Sequence, residues 1–229
     1  MNSSQSAYPS SFGAPLASVQ ERNRVLRNTY WLLALSMVPT VLGAWLGVAT
    51  GLTRAMSPGI GIMVFLGGAF GSMKKTKNSA AGVPVLLAFT FFMGLMLSRL
   101  VGSVLGLSNG ASLVMTAFAG TGGIFLGMAM LSTVIKRDIS AMGKWLFVGA
   151  IGLLVVGIAN VFIQSSALMM TLSVAAIGIF SAFILHDLKR VKDGLETNYI
   201  SATLGVYLSL YNVFQSLLAL LGIAGGRDE

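Results

Sequence analysis

An all-α fold, a bundle of seven transmembrane helices with its N-terminus inside and its C-terminus outside, is what this sequence predicts. Three observations carry the prediction. Hydrophobic residues make up 55% of the chain and charged residues 10%, against about 25% charged residues in a soluble domain. The apolar residues are gathered into runs close to the roughly 20 residues that a helix needs to cross a hydrocarbon core. Short basic segments separate the runs and fall on alternate sides of them, as loop charges do in multi-pass proteins.

The runs, in order, are Tyr30–Thr50, Pro58–Met73, Val83–Val101, Ala111–Ile135, Trp145–Ile163, Ala167–Asp187 and Thr203–Ile223. Pro39 lies near the middle of the first and removes one helical hydrogen bond, so a kink is expected there. The second is short and rich in glycine. Residues 1–28 precede the first run. Their opening stretch is polar, uncharged and rich in Ser and Pro, so residues 1–28 read as a disordered cytoplasmic tail and residues 29–229 as the membrane domain. No basic start followed by a short apolar stretch marks a secretory signal.

Twelve basic residues fall in the segments assigned to the inside, among them Arg22, Arg24, Arg27, Lys136, Arg137, Lys144, Lys189, Arg190 and Lys192. Three fall outside: Arg54, Arg99 and Arg227. Adding or removing one run would scramble this alternation, so it supports the count as well as the orientation. Trp31, Trp145, Tyr30 and Tyr199 lie near the ends of runs, where interfacial aromatic residues gather.

Several classes of chemistry are excluded. The chain has no cysteine and one histidine, which removes disulfides, thiolate sites and multi-histidine metal centres. No HExxH motif, P-loop or intramembrane Asp pair is present, so no enzyme is expected. The net charge of +8 resides in the short loops and not in a basic, aromatic-studded face, so nucleic acid is not an expected partner. The expected partner is the lipid bilayer.

Small and polar residues mark helix contacts or an internal pathway in a bilayer. In the fourth run Ser112, Thr116, Gly120, Gly123 and Gly127 share a narrow arc; in the seventh Gly205, Ser209, Asn212 and Ser216 do; in the fifth Gly149, Gly152, Gly157 and Asn160 share a broader side. These arcs are expected to face inward, either for close packing or as a polar pathway. GxxxG pairs stand at Gly43/Gly47, Gly67/Gly71 and Gly123/Gly127.

Asp187 is the most informative charge. The sixth helix is expected to run on through Lys189, Arg190 and Lys192 and to stop at Gly194, which leaves Asp187 inside it. A carboxylate on a mostly apolar face is a candidate pH sensor; the alternative is a headgroup-level carboxylate paired with Lys136, Arg137 or Arg190. His186 beside it either senses pH or anchors the helix at the interface. Lys136, Arg137 and Asp138 form a charged turn, with Asp138 a candidate cap for the stretch leading to the fifth helix.

Four segments together resemble the Bax inhibitor-1 (TMBIM) family, and its bacterial YccA-like subfamily most. They are residues 23–30, from Asn23 to Tyr30; residues 135–140, from Ile135 to Ser140; Leu185-His186-Asp187; and residues 196–200 followed by 206–214. The resemblance covers residues 22–223. It implies two kinds of function. The YccA-like members imply a modulator and substrate of the membrane-anchored FtsH-type protease, associated with proteins of the HflK/HflC type, in quality control and stress response at the bacterial inner membrane. Other members imply a pH-sensitive calcium or cation leak, with Ca2+ as the transported ion and no bound cofactor. The leak's paired aspartates correspond here to Asp187 and Ser209, so a carboxylate stands beside a hydroxyl; Asp187, Ser209, His186 and Asn212 are then the ion-pathway candidates.

Overall fold

The computed structural model describes residues 18–51, 76–79 and 81–226. Its regular elements are all helical: α1 Val19–Thr50, α2 Gly82–Leu105, α3 Gly110–Val134, α4 Met142–Ile163, α5 Ser166–Lys192 and α6 Tyr199–Gly225. All six are long and apolar enough to cross a membrane. They correspond to the first and to the third through seventh predicted runs. The second, Pro58–Met73, lies outside the described residues.

Local chemistry fixes the helix ends. The Ser18 hydroxyl accepts from the Glu21 amide at 3.2 Å, with Glu21 in the positive first turn. This cap starts α1 at Val19, so residues 19–28, assigned above to the tail, are helical. Pro39 lies inside α1 without ending it. Ser165 and Asn198 cap α5 and α6 by accepting from the amides of Leu168 and Ser201. Lys189, Arg190 and Lys192 fill the last turn of α5, and Gly194 beyond it has φ +78°. Asp187 is thus within the helix, as its sequence context predicts.

Two close helix pairs, α1 with α2 and α5 with α6, are joined around α6, which also touches α1, α2 and α3. The α1–α2 crossing depends on missing side chains. A Cβ on Gly43 would collide with the Phe91 carbonyl, and one on Gly94 with the Thr40 carbonyl. Such backbone approach is available only to glycine. The main core between the pairs holds Leu33, Phe89, Ile184, Leu188, Val206 and Val213.

The faces differ from expectation on α3. Its inward side carries the buried Ala117, Thr121 and Ser132, and Phe125 and Met128 pack on the core. Ser112, Thr116, Gly123 and Gly127 are exposed, and a Cβ on Gly123 or Gly127 would meet nothing within 4 Å among the described residues. Four of the five small residues of the fourth-run arc therefore point out of the described bundle; Gly120 is half-buried, and a Cβ there would stand 3.3 Å from Leu217 of α6. Larger apolar side chains win the interior because they fill it, and in lipid the outward position costs a glycine or a self-bonded hydroxyl little. The Thr116 hydroxyl bonds the Ser112 carbonyl of its own helix at 2.8 Å. On α4 none of the residues is fully buried, and among the described helices α4 packs on α5 alone. Gly149 meets Ile179 there, while a Cβ on Gly152 meets nothing within 4 Å among the described residues.

Candidate functional site

The predicted site residues come together where α5 meets α4 and α6. His186 and Asp187 are adjacent on α5 yet serve different neighbours. A Cβ on Gly143, in the first turn of α4, would stand 2.7 Å from His186 Nε2; one on Gly205 of α6 would stand 2.7 Å from Asp187 Oδ2. Each side chain thus occupies room left by a glycine on a different helix. Between them His186 Nδ1 lies 3.2 Å from Asp187 Oδ1. The side chains are 9% and 19% exposed, so the pair is shielded but not sealed. The arrangement places a hydrogen-bonded imidazole and carboxylate at the junction of α5 with α4 and α6.

Asp187 makes no ion pair with Lys136, Arg137 or Arg190 among the described residues; its side-chain hydrogen-bond partner is His186. The reason is direction: Asp187 is turned toward α6, where Gly205 leaves space, while Arg190 faces Glu196 at 4.0 Å. On α6 the predicted polar arc does face inward. The Ser209 hydroxyl donates to the Gly205 carbonyl at 3.0 Å, and the Asn212 amide donates to the Leu208 carbonyl at 2.8 Å. Ser209 is buried and Asn212 half-buried. Both side chains return a hydrogen bond to the preceding turn of their own helix, which satisfies them in a low-dielectric setting.

The same end of the bundle is tied by basic side chains. Lys189 is 5% exposed and its ammonium binds both carboxylate oxygens of Asp193, at 2.7 and 3.0 Å. A buried ammonium needs such a partner. Lys192 donates to the Thr133 carbonyl at the end of α3 at 2.9 Å, and Arg22 of α1 donates to the Lys192 carbonyl at 3.2 Å. Val25 packs with Val191 and Ala202, which seats the first turns of α1 on α5 and α6. The carboxylate of Asp138 accepts from the Ser140 hydroxyl at 2.6 Å and amide at 2.8 Å. It caps the turn leading into α4, as expected of that stretch, while α4 itself follows Ala141 without a side-chain cap. The hydroxyl bond, then the amide bond, hold the Asp138 carboxyl below the usual carboxylate range, with Lys189 adding a smaller attraction.

Sequence reasoning missed a second polar cluster deeper in the bundle. The hydroxyls of Thr40 on α1 and Tyr207 on α6 lie 2.9 Å apart, and the Thr90 carbonyl of α2 is 3.2 Å from Thr40 Oγ1. Tyr207 is 1% exposed. The available signal was a tyrosine in the middle of an apolar helix, whose hydroxyl must find a partner. Gly143 was not singled out either; a lone glycine in a first turn carries no signal of the imidazole it receives. No group of three His, Asp or Glu side chains among the described residues is placed to hold a metal ion.

Six membrane-length helices with polar inter-helix contacts define a multi-pass helical membrane protein. A family model described as "Inhibitor of apoptosis-promoting Bax1" matches residues 22–226, and the chain belongs to this family. It is 36% identical over 214 residues to the Escherichia coli K12 protein named "Modulator of FtsH protease YccA", covering 92% of this chain and 94% of that protein. The protein of Escherichia coli O6:H1 with the same identity and coverage is named "Inner membrane protein YccA". A Vibrio cholerae protein named "Uncharacterized membrane protein" is 35% identical, covering 91% of this chain and 93% of its own. The match extends over every described helix, so the YccA-like resemblance holds for the whole bundle and not only for its short motifs.

Proposed function

We propose that this protein modulates a membrane-anchored, ATP-dependent protease of the FtsH type by being a substrate that is slow to extract. It does so from the inner membrane, with seven spans, the N-terminus in the cytoplasm and the C-terminus outside. The observation that carries this reading is the end-to-end similarity to the E. coli protein named as a modulator of that protease. Two physical features support it. The uncharged, Ser- and Pro-rich sequence before Ser18 is of the kind an unfoldase engages. Immediately after it, the first turns of α1 are seated on α5 and α6 by Arg22 and Val25, with the Thr29 carbonyl 3.4 Å from the Thr203 hydroxyl. Pulling from the N-terminus would meet this packed junction first. Partners of the HflK/HflC type would act at the same complex.

The test is deletion of residues 2–17, which leaves the Ser18 cap intact. In cells containing the protease, the deleted protein should persist and should cease to compete with other substrates. Unchanged turnover and unchanged competition would defeat the proposal.

A second reading is a cation leak, with Ca2+ as the transported ion, along the Asp187–Ser209–Asn212 side of α6. The shielded His186–Asp187 pair favours it. Protein in calcium-loaded vesicles should then show a pH-dependent flux that falls in Asp187→Asn, and flux equal to that of empty vesicles would remove it.

A further inference from the structure

The basic residues at the α5 end of the bundle divide into two sets. Arg22, Lys189, Arg190 and Lys192 are engaged within the protein, with the Lys192 carbonyl, Asp193, Glu196 and the Thr133 carbonyl respectively. Arg24, Arg27, Lys136, Arg137 and Lys144 are exposed, and among the described residues none of them makes an ion pair. The second set is not scattered. It flanks two exposed tryptophans, Trp31 at 73% and Trp145 at 76%.

On α1 the arrangement follows one helical face. Arg24, Arg27, Trp31, Leu35, Val38 and Leu42 lie within a narrow arc, opposite the buried Val25, Thr29, Leu32 and Ser36. Arg27 and Arg24 precede Trp31 by about 6 and 10 Å along the axis at 1.5 Å per residue. On α4, Lys144 adjoins Trp145, with the exposed Phe147 and Val148 following, and Lys136 and Arg137 stand in the turn before the helix. Both stations belong to the same end of the bundle, because Arg22 and Gly143 each contact the last turns of α5.

We propose that these two stations are binding surfaces for the headgroups of anionic phospholipids. A ligand that meets both halves of each station must be anionic at one end and apolar along its length. The tryptophan sets the depth, because an indole prefers the boundary between headgroup and hydrocarbon. The cations then lie at phosphate level, where each contributes to attraction toward anionic lipid. An acidic protein surface would satisfy the cations and leave Trp31 with its apolar continuation unexplained. Glu21 and Asp138 are the acidic residues of these segments; five cations outweigh them.

The experiment uses the full chain in vesicles. Quenching of tryptophan fluorescence is compared for brominated phosphatidylglycerol and brominated phosphatidylcholine, diluted equally into unbrominated phosphatidylcholine. The wild type should favour the anionic quencher. Arg24→Gln with Arg27→Gln, and Lys136→Gln with Arg137→Gln and Lys144→Gln, should each lower the preference by about 3- to 5-fold per cation removed. Arg190→Gln, a cation already engaged, should leave it unchanged. Equal quenching by the two lipids in the wild type, or a preference that survives all five substitutions, overturns the proposal. Relief of quenching by soluble glycerol phosphate at matched concentration would assign the surface to a free phosphate and overturn the lipid. Loss of association with the protease in the five-fold variant, with lipid preference intact, would assign it to an acidic protein. Retention of the wild-type unfolding midpoint in detergent verifies that the variants are folded.

Discussion

The carboxylate of Asp187 rests against Gly205, so close that a Cβ there would stand 2.7 Å from Oδ2. One residue earlier in α5, His186 fills the room left by Gly143 in the same way. The His-Asp pair therefore joins α4, α5 and α6 through two glycine gaps, and Gly205→Ala should force the carboxylate to move. The expected cost is about 1–3 kcal/mol of stability. Thermal unfolding of Gly205→Ala, Asp187→Ala and the double variant would measure it. The two costs should be strongly non-additive, because shortening Asp187 removes the clash; additive costs would mean the residues do not touch.

The glycines of α1–α2 and of α3 predict opposite outcomes. Gly94→Ala puts a methyl group into the Thr40 carbonyl and should cost about 3 kcal/mol or more, since backbone cannot yield as a side chain does. Gly123→Ala and Gly127→Ala meet nothing within 4 Å among the described residues; they should be neutral or slightly stabilising through helix propensity. Unfolding midpoints of the three variants in one detergent would decide, and equal losses at all three positions would contradict the packing described.

Tyr207→Phe removes the hydroxyl that lies 2.9 Å from Thr40. The expected loss is about 1 kcal/mol, since Thr40 also bonds the Ser36 carbonyl at 2.8 Å. Thr40→Val should cost a similar amount, and the double variant less than the sum.

Val25→Ala loosens the contact of α1 with Val191 and Ala202. Loss of two buried methyl groups is worth about 2 kcal/mol, or roughly 30-fold faster opening where that opening limits exchange. Hydrogen exchange should accelerate over residues 19–29 and remain slow in the middle of α6. In cells containing the protease the variant should also turn over faster than the wild type.

Asp138 should titrate below an ordinary aspartate, and Ser140→Ala should bring it back toward the usual value, because both hydrogen bonds to the carboxylate come from Ser140 or depend on its turn. A depressed folded-state value favours the charged form on folding. The associated stabilisation is complete above the unfolded carboxylate value and is lost as the pH falls through the folded one. Carbon-13 chemical shifts of the Asp138 carboxyl against pH would measure both variants.

Much of the site was legible from residue types. The run of Lys189, Arg190 and Lys192 before Gly194 placed Asp187 inside a helix, because a helix C-terminus favours cations and then a left-handed residue. The arc of Gly205, Ser209 and Asn212 turned out to face inward, whereas its counterpart on α3, with Gly123 and Gly127, turned out to face away from the described bundle. The two arcs look alike in sequence. Pairing was equally hidden: nothing near Lys189 in composition says that it is 5% exposed and bound to Asp193, and nothing near Gly143 says that it receives an imidazole.

The sequence by itself determined the medium, the six described helices, where most of them stop, and the family. These follow from hydropathy, capping residues and motif chemistry, all properties of neighbours along the chain. Only the tertiary structure decided which side of each helix is interior, which glycines are contact points, and which cations are consumed and which are left at the surface. The physical reason is that hydrocarbon and protein interior are similarly apolar. A helix face therefore carries no strong transfer energy to mark it as inner or outer, and shape and hydrogen-bond partners make the choice.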